Sequence, residues 1–206
     1  MTLALECVMA QGMKHFILIG SACALAACSS PTTPSEFPSQ QVFFASLSKF
    51  CGQAFNGKLV STDEVDADFG AQSMVMHVRE CSDSEIRIPF HVGDDRSRTW
   101  VITKQAEGLR LKHDHRHEDG SEDAVTQYGG DTAGGGAAMR QSFPVDDFSI
   151  EMFEREGLTA SVVNVWNVEV DEGFFAYELT RPNRLFRVEF DTRTPVTPPP
   201  APWGFE

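Results

Sequence analysis

Residues 162–191 read VVNVWNVEVDEGFFAYELTRPNRLFRVEFD. Val162, Trp166, Val168 and Val170 fall on one face of the first run. Phe175, Tyr177 and Leu179 share one face of the second, and Phe186, Val188 and Phe190 one face of the third. A period of two marks a strand with one buried face. Asp171-Glu172-Gly173 and Arg181-Pro182-Asn183 separate the runs. Both connections are too short to cross over a sheet, so the three strands must pair as consecutive antiparallel hairpins.

The pattern extends upstream. Ile86, Ile88, Phe90 and Val92 alternate with Glu85, Arg87 and His91. Between residues 53 and 192 the chain offers about ten candidate strands, with turn signals roughly every 8–12 residues. The expectation is an all-β domain over residues 41–194: a single antiparallel, up-and-down barrel, because closure removes the exposed edges of such a meander. One or two short helices accompany it. Phe44, Leu47 and Phe50 recur at helical spacing in 41–51, with Gly52 as a stop. Residues 147–156 form a second candidate: Asp146 or Asp147 caps it, Phe148, Ile150, Met152 and Phe153 supply apolar contacts, and Gly157 ends it. A short helix followed by about ten up-and-down strands resembles the calycin-type barrels in architecture. Their Gly-x-Trp near the first strand is replaced here by Phe55-Asn56-Gly57. Barrels of that type bind small hydrophobic or haem ligands, but the resemblance is architectural only and carries no ligand class over to this chain.

The N-terminus is an address. Met13-Lys14-His15 is a short positive segment, and Phe16 to Leu25 is an apolar run of signal-peptide length. A spanning helix needs about 20 apolar residues. Leu25-Ala26-Ala27-Cys28, followed by Ser29-Ser30, resembles the lipobox of bacterial lipoproteins. That resemblance implies cleavage before Cys28, a diacylglyceryl thioether on its sulfur and acylation of the new amine. Ser rather than Asp after the cysteine implies the outer membrane, facing the periplasm. About three acyl chains would make the anchor effectively permanent, since a single chain binds only marginally. Residues 1–27 are thus expected to be a signal peptide whose true start is Met13, because Glu6 lies where positive charge is wanted. An unprocessed peptide beginning upstream of Met13 would refute that start. Residues 28–40 (lipidated Cys28 and a Pro/Ser/Thr stretch) read as a disordered tether. Residues 195–206 read as a proline-rich, extended tail.

The chain has 30 acidic and 17 basic residues, a net charge of −13. Removing residues 1–27 takes away one acid (Glu6) and one base (Lys14) and leaves the balance unchanged. Such a domain repels nucleic acid and anionic headgroups, which excludes a DNA- or RNA-binding role. Of the three cysteines after the cleavage point, Cys28 is claimed by lipid. Cys51 and Cys81 remain, and an oxidising compartment makes them a disulfide.

Residues 108–130 read GLRLKHDHRHEDGSEDAVTQYGG. With a period of two, Leu109, Leu111, His113, His115 and His117 share one face. Arg110, Lys112, Asp114, Arg116 and Glu118 share the other, which is wholly charged and expected at solvent. Three imidazoles therefore lie on the side of the leucines, toward the core or the barrel mouth. Same-face neighbours are about 7 Å apart. Three readings stay open: polar rim residues, a transition-metal site (Zn, Fe, Cu or Ni), or a site for an organic anion or acid–base work. Gly108-x6-His115-x-His117-x4-Glu122-x6-Gly129 is similar to the first motif of the cupins. That similarity implies a cupin-like barrel, and a metal-dependent enzyme with His115, His117 and Glu122 as ligands. The first gap is one residue longer than the motif, and no histidine follows His117.

Residues 129–136, GGDTAGGG, read as a loop at a barrel end rather than a phosphate cradle, because no Lys-Ser/Thr pair follows. Trp100, Tyr128 and Trp166 belong to the core or a cavity wall. Ser97 and Ser142 lack any nucleophile signature. The functional classes left are a lipid-anchored barrel binding a small ligand or metal near His113, His115, His117 and Glu122; a cupin-like enzyme; and an envelope structural or assembly accessory.

Overall fold

The computed structural model describes residues 37–205. The expected signal peptide, the start at Met13, Cys28 and Ser29 lie outside them.

Eleven antiparallel strands form a nearly closed, barrel-shaped sheet. They are β1 (Ala54–Leu59), β2 (Met74–His77), β3 (Glu80–Cys81), β4 (Glu85–Val92), β5 (Asp95–Gln105), β6 (Gly108–His115), β7 (Tyr128–Asp131), β8 (Arg140–Pro144), β9 (Val165–Val170), β10 (Phe174–Arg181) and β11 (Arg184–Asp191). The hydrogen-bonded order is β7-β6-β5-β4-β2-β1-β11-β10-β9-β8, with β3 pairing only β4. Strands adjacent in the chain are mostly adjacent in the sheet, as expected of a meander. The β1–β11 ladder joins its first strand to its last. The ends of the path, β7 and β8, meet at a seam. There the Asp146 amide donates to the Gly129 carbonyl (2.9 Å), and the Gly129 amide donates to the Ser149 hydroxyl (2.8 Å).

The alternation of the opening stretch holds. Trp166, Val168 and Val170 point inward on β9, Phe175 and Tyr177 on β10, and Val188 and Phe190 on β11. Val162 does not belong with them. It caps a 3-10 turn, Thr159–Ser161, because the Asn164 amide bonds back to Ser161 rather than entering the ladder. Inside, Trp100 stacks between Phe90 (4.7 Å) and Tyr177 (4.5 Å).

Helix α1 spans Pro38–Ser48, earlier than expected, since a proline at the first helical position costs no hydrogen bond. The tether reading of residues 38–40 is corrected accordingly. Phe43, Phe44 and Leu47 plug the barrel end where β1 starts and β5 finishes. A short helical stretch, Glu64–Asp66 and then α2 (Ala67–Gly70), links β1 to β2 at the opposite end. Helix α3 (Asp147–Arg155) is capped by Asp146, whose carboxylate accepts from the Ser149 amide (2.9 Å). Met152 and Phe153 are buried, but Phe148 is not: it is 55 % exposed and lies under the Lys112 ammonium.

The charged face of β6 does not look wholly at solvent. The extended tail bridges Ala54 through Val196 and then crosses the outer face of β4–β6. Arg96 Nη1 donates to the Ala201 carbonyl (2.9 Å), and the Phe205 ring lies beneath the guanidinium groups of Arg87 and Arg116. Both of those arginines pair with Asp114, which is 3 % exposed.

Cys51 and Cys81 form the expected disulfide, tying the segment after α1 to β3 across 30 residues. On the chain-entropy account, closing that loop stabilises the fold by roughly 3–4 kcal/mol. Cys51→Ala/Cys81→Ala should therefore lower the unfolding free energy by about that amount. Urea denaturation checks it, and an unchanged midpoint would rule out a stabilising disulfide.

Candidate functional site

The end opposite the α1 plug is the barrel mouth. β6 delivers His115 there, β5 delivers Arg98, and the two-residue β10–β11 hairpin delivers Arg181 and Arg184. Asn183 takes the left-handed φ of 60° that this tight turn requires. α3 and the Thr159–Ser161 turn lean over one side, and the Asp66–Phe69 segment over the other. Between them are two adjoining hollows of about 220 and about 240 Å³, which share His115, Tyr128, Leu179, Arg184 and Phe186. A wider depression of about 510 Å³ lies beside α1 at the plugged end, the end of the barrel away from His115.

His113 is 2 % exposed and both its nitrogens are engaged. Nδ1 lies 3.0 Å from the Tyr128 carbonyl, which can only accept, so Nδ1 carries the proton. Nε2 therefore accepts from the Tyr177 hydroxyl at 2.8 Å. Burial pushes this imidazole down to about 3, so it is neutral at ordinary pH. The ring stacks on Tyr128 at 4.4 Å. His115 lines both hollows, with Nε2 3.2 Å from the Tyr128 hydroxyl. Burial, assisted by the Arg98 charge, lowers it to about 4. Burial also raises Tyr128 and Tyr177, so both stay protonated hydrogen-bonding groups.

His117 departs from this arrangement. β6 ends at His115, and residues 117–121 form a turn closed by the His117 amide on the Ser121 carbonyl (2.8 Å). The His117 side chain is 58 % exposed, 3.9 Å from Asp123. Glu122 is likewise at the surface, 3.4 Å from both Arg116 and Gln127. The four residues thus divide: His113 and His115 face the interior, while His117 and Glu122 lie outside. Among the described residues no group of three or more His, Cys, Asp or Glu is gathered to hold a metal ion. Of the open readings, the metal site built on the three histidines and the cupin-like set of His115, His117 and Glu122 are not assembled among the described residues. Strand alternation stops before His117, and the Nε2 lone pair of His113 is already taken.

Arg98, Arg181, Arg184 and Asn164 also line the mouth, and nothing in their local sequence marks them; Phe186, placed on an inner face by its alternation, joins them. Arg181 and Arg184 read only as flanks of a Pro-Asn turn; the hairpin's position in the barrel makes them rim residues. Arg184 pairs with Asp63 (2.8 Å) and Asp66 (2.7 Å), and Arg98 with Asp95 (2.6 Å). The Gly-rich stretch splits in two. Gly129 and Gly130 lie in β7 at the seam, while Thr132 and Gly134 accept from the Gln40 amide at the plugged end.

Comparison of the chain with known protein families, curated proteins and solved structures finds no match.

Proposed function

We propose that this chain is a lipid-anchored protein of the bacterial envelope whose barrel holds a small organic ligand in its mouth, beside His113 and His115. The observation that carries the reading is the aromatic, polar-edged cavity at the barrel end opposite the α1 plug. Such cavities, apolar with a few convergent polar groups, are the usual form of a small-molecule site. An organic ligand fits better than a transition ion, because His113 spends both nitrogens on Tyr128 and Tyr177 and has none to offer a metal. The anchor rests on the lipobox ending at Cys28. The chain enters α1 at the plugged end, so the mouth opens away from that entry.

The test uses the full chain. The neutral fluorophore N-phenylnaphthylamine should bind the wild type and brighten. Leu179→Trp, which fills the wall shared by both hollows, should weaken binding by about tenfold or more. No fluorescence change in the wild type would sink the ligand reading. In cells, Cys28→Ser should release the protein from the membrane fraction, and retention would sink the anchor.

A further inference from the structure

The mouth holds an arginine without a counter-charge among the described residues. Of the 12 arginines, 10 lie within 4.0 Å of a carboxylate among the described residues. Arg96 is one exception, and it holds the tail carbonyl of Ala201. Arg181 is the other. Its Nη1 donates to the Ser161 hydroxyl (3.3 Å) and to Asn164 Oδ1 (3.2 Å), both neutral acceptors. Its Nε and Nη2 have no acceptor among the described residues. With 30 acidic residues against 17 basic ones, an arginine near no acid stands out.

The position is built rather than incidental. Arg181 ends β10 and is half-buried. Asn164, which braces it, is 3 % exposed and is held through its own backbone by Val145 and Ser161. Phe153, Leu158, Leu179 and Phe186 line the same open hollow, so the guanidinium shares it with an apolar wall. His115 is on the same wall, and its Nδ1 has no partner among the described residues. The other two mouth arginines are already neutralised, Arg98 by Asp95 and Arg184 by Asp63 and Asp66. Asp66 itself lines the adjoining hollow and opposes a second negative charge. A planar cation with free, parallel donors matches a carboxylate. A phosphate dianion would need a second unpaired cation, and none lines the mouth among the described residues.

We infer that the mouth cavity binds an apolar monocarboxylate, with its carboxylate on the free edge of Arg181 and its body against Phe153, Leu158, Leu179 and Phe186. This rests on the mouth being a ligand site, and the experiment separates the two claims. Calorimetry on the full chain compares naphthoate with its neutral isostere naphthamide and with naphthyl phosphate, alongside the neutral fluorophore. Wild type should bind naphthoate about tenfold or more tighter than naphthamide, as a charge-assisted hydrogen bond requires. Arg181→Gln should abolish that preference while the variant still binds the neutral fluorophore. If the fluorophore binds but naphthamide matches naphthoate, or naphthyl phosphate binds tightest, or Arg181→Gln keeps the preference, the carboxylate assignment falls and the cavity stands. If no ligand binds, both fall.

Discussion

Gly130→Ala should destabilise the domain by about 4 kcal/mol or more, enough to remove much of the stability of a domain this size. The cause is the seam. Gly130 is where β7 approaches β8, and a Cβ placed there would overlap the Pro144 carbonyl oxygen. One residue earlier, a Cβ on Gly129 would overlap the Leu111 carbonyl of β6. Neither obstacle is a side-chain tip that can swing aside. Both are backbone, held in place by the ladders that define the barrel. To admit a methyl group, β7 must leave β8, breaking the Gly129 bonds to Asp146 and Ser149 and exposing the apolar interior behind them. Gly134→Ala is the internal control: nothing lies within 4 Å of a Cβ there, so its effect should be small or slightly stabilising. Chemical denaturation of the two variants decides the matter. Equal midpoints for Gly130→Ala and Gly134→Ala would show that the seam does not hold the barrel shut.

The second large effect is on acid stability. His113 is lowered to about 3 and His91 to about 4, chiefly by burial. Both start from an ordinary value of 6.5. A depressed histidine is neutral in the folded state while its unfolded counterpart takes up a proton. Stability is therefore complete above about pH 6.5 and falls as pH drops toward the folded values. At about pH 5 each of these two buried rings should cost roughly 2 kcal/mol, about 4 together. His115 and His77 shift in the same direction and add to the loss. The carboxylates held below their usual range, such as Asp146 and Glu178, contribute only below about pH 4.5, so the window isolates histidine. Denaturant titrations at about pH 7.5 and about pH 5 should show this loss. His113→Gln and His91→Gln should each remove about 2 kcal/mol of the pH dependence, about a third of the total or less, whatever they do to the absolute stability. A midpoint unchanged between the two pH values would mean the rings are reached by solvent in the folded chain.

What the sequence determined by itself is local. Period-two alternation in residues 86–92 and 166–190, broken by Asp171-Glu172-Gly173 and Pro182-Asn183, dictates antiparallel strands, because a one-residue slip would expose every apolar side chain. The same reasoning set the two helices to within a few residues and, by elimination, paired Cys51 with Cys81. It also put His113 and His115 on the inner face. It failed at His117, because alternation says which side a residue faces only while the strand lasts, and β6 ends at His115. It failed at Asp114, because the tail that covers that face is about ninety residues distant in the chain. The long-range decisions belong to the tertiary structure. Closure at Gly129 and Gly130, the plugging of one end by α1, and the gathering of Arg98, Arg181 and Arg184 at the other depend on strand order and register around the barrel. Those quantities are set by contacts between residues far apart in sequence. A turn flanked by arginines reads the same on any surface, and only its place on the rim gives Arg181 a cavity to face.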